Sequence, residues 1–479
     1  MSKPPPTCEH LPPALPMAAK LFYGLGEIPL TVTMVLFGLF MLFFYHSVMA
    51  LPAALVGVGI AAGLAVDALV DPLIGYWSDR CGGRMGRRHP FLIAGAIGMG
   101  PCLFLLFSPP RGLGNALLFV WLVVNSILFR VVSAVYRIPY LSLGAELTTD
   151  YDERTQVIAI RSVWGLIGTL AAGSLSFLLF FPRGAGGADP KLNFDNYPRL
   201  GLAAGAVLSV TGLLAAFGTW RQRWSGVTGP ASAPHAFFGA FSRSLRNRSY
   251  RLLWISFTLF FMAVVLHASV SVHFLTWYVK IHDSGIISLL QTAFYVGALA
   301  GVLLWMAASK LGEKRNLYIG GTLGTALLLC LATLLFGEGR LLGTGNPNPL
   351  LAGYFVGGAF ASTVWVLPAS MLADVVDEDE YQNGGRREGV YFGVLSFGEK
   401  MAAAGALLGS GVLLSHFVHL APGSARQSPE AVERVGMIYG LVPGVLLLAA
   451  AAALWPYRLN RRAVNRIQTA LAVRRGGDA

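Results

Sequence analysis

Twelve predominantly apolar stretches dominate the sequence, and each approaches the roughly 20 residues that a helix needs to cross a bilayer. Mostly short polar loops separate them, so each stretch is predicted to form one transmembrane helix. The stretches are residues 22–47, 52–77, 90–108, 115–138, 157–181, 200–220, 252–280, 284–309, 316–336, 349–372, 389–418 and 434–457. Hydrophobic residues make up 55% of the chain and charged residues only 13%, too few for a soluble surface. The predicted fold class is therefore an all-α integral membrane protein.

The spans form two groups of six, which indicates an internal duplication. The predicted organisation is an N-terminal tail (1–21), a six-helix bundle (22–220), a connector (221–251), a second six-helix bundle (252–457) and a basic tail (458–479). Lys and Arg are roughly three times as frequent in the tails and in the loops after even-numbered spans as in the other loops. This bias predicts that both termini and the connector are cytoplasmic, in a multi-pass protein of the cell (inner) membrane. Topology thus explains the net charge of +12, and no nucleic-acid partner is expected.

Other classes of function leave no trace in the sequence. The cysteines lack the spacing of a zinc site, a redox pair or a disulfide framework; they are Cys8, Cys81, Cys102 and Cys330. No Gly-x-Ser-x-Gly or His-Glu-x-x-His motif suggests a lipid-modifying enzyme. We therefore predict that the protein is not an enzyme and has no cofactor and no resident metal. The partners expected are a small-molecule substrate and the lipid bilayer.

Charged motifs follow several even-numbered spans. After the second and fourth spans and at the end of the tenth, the candidate residues are Asp79, Arg80, Arg84, Arg87, Arg88, Glu146, Arg154 and Asp374. Arg and carboxylate groups at helix ends can pair across the inward face and hold one gate closed, so these residues are the predicted cytoplasmic gate. The alternative is that they are solvated topology signals.

The same loops carry a family resemblance. Asp71-Pro-Leu-Ile-Gly-Tyr-Trp-Ser-Asp79-Arg and Gly86-Arg-Arg-His-Pro-Phe91 resemble the glycoside–pentoside–hexuronide:cation symporters of the major facilitator superfamily. Further similar stretches run from Ile138 to Thr155 and from Leu372 to Tyr391. The resemblance implies two six-helix halves and cation-coupled symport of a sugar or glycoside by alternating access, with the substrate between the halves. This architecture usually works as a monomer.

Ionisable residues inside the spans are the strongest functional candidates, because each costs about 2.5–3.5 kcal/mol at the bilayer centre on insertion scales. Asp67 and Asp71 are four residues apart and share one helix face. Two carboxylates that close repel, so they either share a cation or one takes a proton. This spacing predicts a coupling-ion site, and the pair matches the cation-binding aspartates of the resembling family. Glu27 in the first span either joins the relay or is solvated near its helix end.

The identity of the coupling ion depends on neutral ligands. Sodium prefers several oxygen ligands, and the positions where the resembling family supplies them read Val70 and Ala134 here. We therefore favour a proton, with sodium at Asp67 and Asp71 as the alternative. Lys400 matches the membrane lysine beside the family's cation site, and it is predicted to touch both ion and substrate.

The substrate residues rest mainly on the resemblance. Arg161 and Trp365 match residues that face the sugar in the family, and Ser396 lies one turn before Lys400. Arg161 alternatively snorkels to the end of its helix. Arg130 is interpreted as a structural partner within the bundle.

Arg137 departs from the family pattern, because the family has an acid there that holds sugar hydroxyls. Together with Arg161 and Lys400, Arg137 leaves open an anionic or amphiphilic substrate such as a hexuronide or a lysophospholipid. Arg137 is accordingly a candidate substrate residue, or else a structural residue of the gate paired with Glu146 or with nearby backbone.

Overall fold

The computed structural model describes residues 15–81, 84–148, 150–182, 189–222, 241–384, 387–424 and 426–477. Within that part of the chain, twelve helices are long and apolar enough to cross a membrane, which confirms the predicted fold class. They are α1 Met17–Val48, α2 Ala53–Arg80, α3 His89–Phe107, α4 Asn115–Gly144, α5 Glu153–Phe180, α6 Asn196–Gly218, α7 Arg248–Tyr278, α8 Ser284–Leu311, α9 Lys314–Leu335, α10 Pro347–Asn383, α11 Glu388–Val418 and α12 Pro429–Leu454. We call α1 to α6 the first half and α7 to α12 the second half.

Several helices extend beyond the apolar stretches on the side of the bundle that carries the tails, which we call the tail face. The second span was expected to end at residue 77 and the tenth at residue 372, but α2 continues to Arg80 and α10 to Asn383. Hydropathy measures only the part of a helix that crosses hydrocarbon, whereas a helix can continue into water with polar residues. The extra turns place the charged residues of the predicted gate on or beside helix ends.

The predicted basic tail contains a further helix, α13, from Arg461 to Gly477. Val464 and Leu471 of α13 are buried, and Gln468 donates a hydrogen bond to Asp377 of α10 at 3.0 Å. The spacing of these apolar residues at positions i and i+7 is an amphipathic signal that the sequence analysis did not use. The tail therefore packs as a helix against the tail face.

The first helix of each half ends in the same way. Both α1 and α7 finish in a wide π-helical turn, Phe44–Val48 in one and Phe274–Tyr278 in the other. Each turn is followed by a non-glycine residue in the left-handed region, Ala50 and Lys280, both with φ of 61°. In the described part of the chain α11 ends in the same way, with a π-helical turn at Leu413–Val418 and His419 at a φ of 56°, so the ending is shared by three helices and is not specific to the first helix of each half.

The two halves pack closely at the face away from the tails, which we call the opposite face. A Cβ atom on Gly57 of α2 would lie 2.8 Å from the carbonyl oxygen of Leu407 in α11, so only glycine permits this approach. In the first turn of α2, the Ala54 amide donates to Ser415 Oγ at 2.8 Å. The Gly423 amide donates to the His46 carbonyl at 3.1 Å. These contacts hold the halves together at the opposite face.

Candidate cation and substrate site

Asp67 and Asp71 lie side by side in the middle of α2, as their spacing predicts. Their side chains are 4% and 17% exposed. Gly63, one turn before Asp67, lets α2 approach α4, because a Cβ there would lie 3.2 Å from Ser126. This close packing brings the α4 side chains within reach of both carboxylates.

Arg137 of α4 binds both aspartates. Its Nη2 atom lies 3.3 and 3.2 Å from the carboxylate oxygens of Asp67, and 2.8 and 2.6 Å from those of Asp71. The expectation that Arg137 pairs with Glu146 as part of the gate is wrong for this structure. Two acids that would otherwise repel compete for one guanidinium.

Lys400 completes the cluster from the other half of the protein. Its Nζ lies 3.2 Å from Asp67 Oδ2 and also donates a hydrogen bond to Asp71 Oδ2. We call Asp67, Asp71, Arg137 and Lys400 the charge cluster; it carries two negative and two positive charges. Lys400 is a direct link between the halves at the depth of the cluster.

The charge cluster leaves little room for a metal ligand set. Arg137 and Lys400 already direct their donors at the oxygens that a sodium ion would need. Val70 and Ala134 add no side-chain oxygen. Among the residues that the structure describes, no group of three or more His, Cys, Asp or Glu side chains could hold a metal ion. The arrangement resembles a cation site filled by the protein's own cations.

Arg130 lies about two helical turns before Arg137 on α4. Its guanidinium stacks over the Phe37 ring at 4.6 Å from the centroid, a cation–π contact. The Nε atom is buried without a hydrogen-bond partner in the described part of the chain. This packing agrees with the structural role that the sequence suggested.

Arg161 and Glu27 form a second acid–base pair within the first half. Arg161 Nε lies 3.4 Å from Glu27 Oε2, and the two side chains are 30% and 18% exposed. Gly165 makes room for the acid, because a Cβ there would lie 3.0 Å from Glu27 Cγ. Glu27 is thus engaged by Arg161, which neither snorkels freely nor presents an unpaired charge to a substrate.

Trp365 and Ser396 are exposed side chains within α10 and α11. Trp365 is 47% exposed and follows the interruption of α10 at Ser362. Ser396 is exposed on α11, one turn before Lys400. In the described part of the chain, neither side chain contacts the charge cluster. The structure thus shows both side chains exposed and outside the charge cluster.

Four of the predicted gate residues come together at the tail face. Arg88 is buried and lies 2.5 Å from Asp79 and 2.7 Å from Glu146, while Arg87 lies 2.8 Å from Glu146. Arg88 also donates to Ser78 Oγ at 2.5 Å. All of these residues belong to the first half. The expectation that they pair across the inward face is not met in this conformation, in which they tie α2, α3 and α4 together.

The other predicted gate residues have separate partners. Arg80 stacks over a tyrosine ring of α2 at 4.0 Å, Arg84 is exposed, and Arg154 donates to a backbone carbonyl at 3.5 Å. Asp374 of α10 pairs with Lys314 at 2.7 Å inside the second half. The Asp374 pair occupies in the second half the place that Glu146 has in the first.

Two ion-paired sites escaped the sequence analysis. Lys20 is buried and lies 3.1 Å from Glu153, which joins the start of α1 to the start of α5. At the opposite face, Asp189 accepts from Lys191 at 2.9 Å and from His282 at 2.7 Å, so it links the two halves. Burial lowers the pKa of Lys191, and Asp189 opposes that shift. All of these residues lie outside the predicted apolar stretches, where hydropathy carries no signal.

Glu399 was also missed, although an acid inside an apolar span is a functional signal. It directly precedes Lys400 on α11, is half-buried, and lies close enough to Arg137 and Lys400 to interact with both charges. In the described part of the chain it makes no hydrogen bond or ion pair. Glu399 is thus a third acid beside the charge cluster.

Comparison with known proteins gives a consistent picture. A family model described as "MFS/sugar transport protein" matches residues 22–461. The isoprimeverose transporter of Lactiplantibacillus pentosus is 26% identical over 449 residues, covering 93% of this chain and 90% of the relative. The inner membrane symporter YicJ of Escherichia coli is 26% identical over 467 residues, covering 96% and 95%. The sphingosine-1-phosphate transporter MFSD2B of Mus musculus is 27% identical over 462 residues, covering 91% and 87%.

A solved structure shares the fold. The inward-facing bacterial homologue of the human lysosomal transporter Spinster superposes with a TM-score of 0.66 at 14% identity, covering 94% of this chain and 97% of that chain. At that level of identity the likeness concerns the fold alone. The names of the three relatives and of the Spinster homologue all describe transporters or symporters.

Proposed function

The chain belongs to the family of MFS/sugar transport proteins and is a membrane transporter rather than an enzyme, and from that premise we propose that it is a proton-coupled symporter of a neutral sugar or glycoside. The substrate binds between the halves, near Trp365 and Ser396. The protein lies in the inner membrane with both tails in the cytoplasm and works as a single chain. The isoprimeverose relative supports the substrate class, and the symporter relative supports the coupling and the membrane.

The charge cluster is the observation that carries the proposal. Lys400 of the second half engages both aspartates of the first half in mid-membrane. Alternating access requires the halves to rock about such a central link while contacts at the two faces form and break in turn. In this conformation the contacts at the opposite face are made, which supports an inward-facing state under the proposed orientation.

A proton is favoured over sodium because the charge cluster already holds two cations. Sodium would have to displace Arg137 or Lys400 from the carboxylates, and neither Val70 nor Ala134 could replace the lost oxygen ligands. A proton needs only one basic oxygen and no set of coordinating oxygen ligands. One charge moving across 100 mV gains about 2.3 kcal/mol, which supports roughly 50-fold accumulation.

A neutral substrate is favoured because the three predicted substrate cations have carboxylate partners. Arg137 and Lys400 are engaged by the aspartates and Arg161 by Glu27. An anion would have to compete with these carboxylates. The relative that carries sphingosine-1-phosphate makes an amphiphilic anion the alternative outcome of the experiment.

The experiment uses purified protein in liposomes that contain a trapped pH-sensitive dye. Isoprimeverose, a phenyl glucuronide and a lysophospholipid are added in turn, in sodium-free and sodium-containing buffer. We expect isoprimeverose to move protons equally in both buffers. Asp71→Asn should reduce the rate at least tenfold, because it removes the main partner of Lys400. The matched control is Asp195→Asn, whose side chain is 57% exposed at the opposite face.

Two results would contradict the proposal. Proton movement with only the lysophospholipid or the glucuronide would show that the neutral-sugar assignment is wrong. Solute uptake that requires sodium and moves no protons would refute proton coupling.

A further inference from the structure

Asp67 and Asp71 belong to the charge cluster and Glu399 lies beside it, and these acids differ in their partners. Asp67 and Asp71 are both bound by Arg137 and Lys400. Glu399 has no hydrogen bond or ion pair within the described residues, yet it lies in the field of the same two cations. Among these acids, Glu399 on the second half is therefore the one without a direct partner in the described part of the chain.

The packing of α11 determines where Glu399 lies. Gly398 is pressed against α7, because a Cβ there would lie 2.7 Å from Trp254 Nε1. This contact fixes the rotation of α11, with Lys400 reaching α2. Glu399 is half-buried between these two directions and is one turn from the exposed Ser396. Glu399 thus lies beside the charge cluster and is itself partly accessible.

We propose that Glu399 is the site that binds and releases the transported proton; the inference rests on the proposed proton-coupled function. Protonation of Asp67 or Asp71 would remove the negative charge that binds Arg137 and Lys400, at the cost of breaking an established ion pair. Protonation of Glu399 breaks no ion pair. The exchangeable proton is therefore assigned to Glu399, while the aspartates keep the cations in place.

The proton on Glu399 also controls the link between the halves. The charged groups that act on it are Arg137 on α4 and Lys400 on α11, and both of these bind Asp67 and Asp71 on α2. A charged Glu399 competes with Asp71 for Lys400, whereas a neutral Glu399 leaves Lys400 to Asp71. Proton binding therefore strengthens the bridge between the halves, and proton release weakens it.

The proton step is balanced without any other reactant. A proton from the solution at the opposite face forms an O–H bond with the Glu399 carboxylate. After the halves rock, that bond breaks and the proton leaves to the solution at the tail face. The carboxylate is restored, and nothing is oxidised or reduced.

The test separates exchange from accumulation in liposomes. Radiolabelled isoprimeverose and lactose are the probes, first in counterflow without a proton gradient and then with an imposed pH gradient. For Glu399→Gln we expect counterflow within about twofold of wild type, a loss of accumulation against the gradient, and a loss of solute-induced proton movement. Glu388→Gln is the matched control, since it makes the same change at an exposed position at the tail end of α11.

The outcomes distinguish this inference from the proposed function. If Glu399→Gln still accumulates solute and moves protons as wild type does, Glu399 is not the proton site and the proposed function stands. If wild type exchanges the probes but moves no protons, or does not transport them at all, both proposals fail.

A Glu399→Gln protein that has lost counterflow as well is followed by Glu399→Asp. This variant keeps a carboxyl group one methylene shorter and should recover accumulation with a displaced pH profile. Counterflow without accumulation in Glu399→Asp would overturn the assignment.

Discussion

Replacing Arg137 should convert the charge cluster into a sodium-binding site. Arg137→Met removes the guanidinium that lies within 3.3 Å of all four aspartate oxygens while keeping an apolar side chain of similar length. Asp67 and Asp71 then face each other with Lys400 as their remaining direct partner. Two adjacent carboxylates with one cation attract a second, and sodium can take the vacated position. The variant should therefore depend on sodium where wild type does not.

The size of the effect follows from burial. Removal of one partner from a buried ion pair costs about 3–5 kcal/mol, and we expect the lower end because Lys400 still compensates one aspartate. Sodium at 100 times its dissociation constant would restore about 2.7 kcal/mol. Arg137→Met should thus lose about 3 kcal/mol in potassium buffer and recover most of that loss in sodium buffer.

The assay is equilibrium unfolding in mixed micelles, repeated in sodium chloride and in potassium chloride at equal ionic strength. Arg111→Met is the control, because it breaks an exposed ion pair with Asp195 and should cost less than about 1 kcal/mol in either salt. An Arg137→Met protein that is as stable as wild type, or that responds equally to sodium and potassium, would show that Arg137 does not occupy a cation position.

Two further predictions concern other contacts. Gly411→Ala should slow transport at least tenfold, because its Cβ would overlap a backbone carbonyl oxygen of α2 and push the halves apart at the opposite face, a cost of about 1–3 kcal/mol. Gly409→Ala, with open space around its Cβ, should transport normally; equal uptake rates for both variants would rule out the close-packing argument. Arg161→Met should lower the free energy of unfolding by about 1 kcal/mol, since the pair with Glu27 is partly exposed. The double variant with Glu27→Gln should return to within about 0.5 kcal/mol of wild type, and additive losses in a double-mutant cycle would mean that the two side chains are not coupled.

Much of the architecture could be predicted because its causes are local. A run of apolar residues must lie in lipid as a helix wherever it occurs, since unpaired backbone groups are too costly there. The same reasoning singled out Asp67 and Asp71, whose shared helix face is a property of four residues of sequence. It should also have singled out Glu399, whose sequence signal was of the same kind.

Partnerships between helices could not be predicted in this way. Arg137 is 70 residues from Asp67, and Lys400 is 329 residues from Asp71, so only the packing of α2, α4 and α11 decides that they meet. The sequence placed Arg137 either with the substrate or with Glu146, and the structure instead places it between the two aspartates.

The sequence alone determined which residues are charged inside the membrane, because hydropathy and helical period act along the chain. Only the tertiary structure decided which of those charges are paired and which acid is left without a partner. Ion pairing depends on distances of a few ångströms between helices that are remote in sequence, and those distances are determined by close contacts such as that of Gly57 with Leu407.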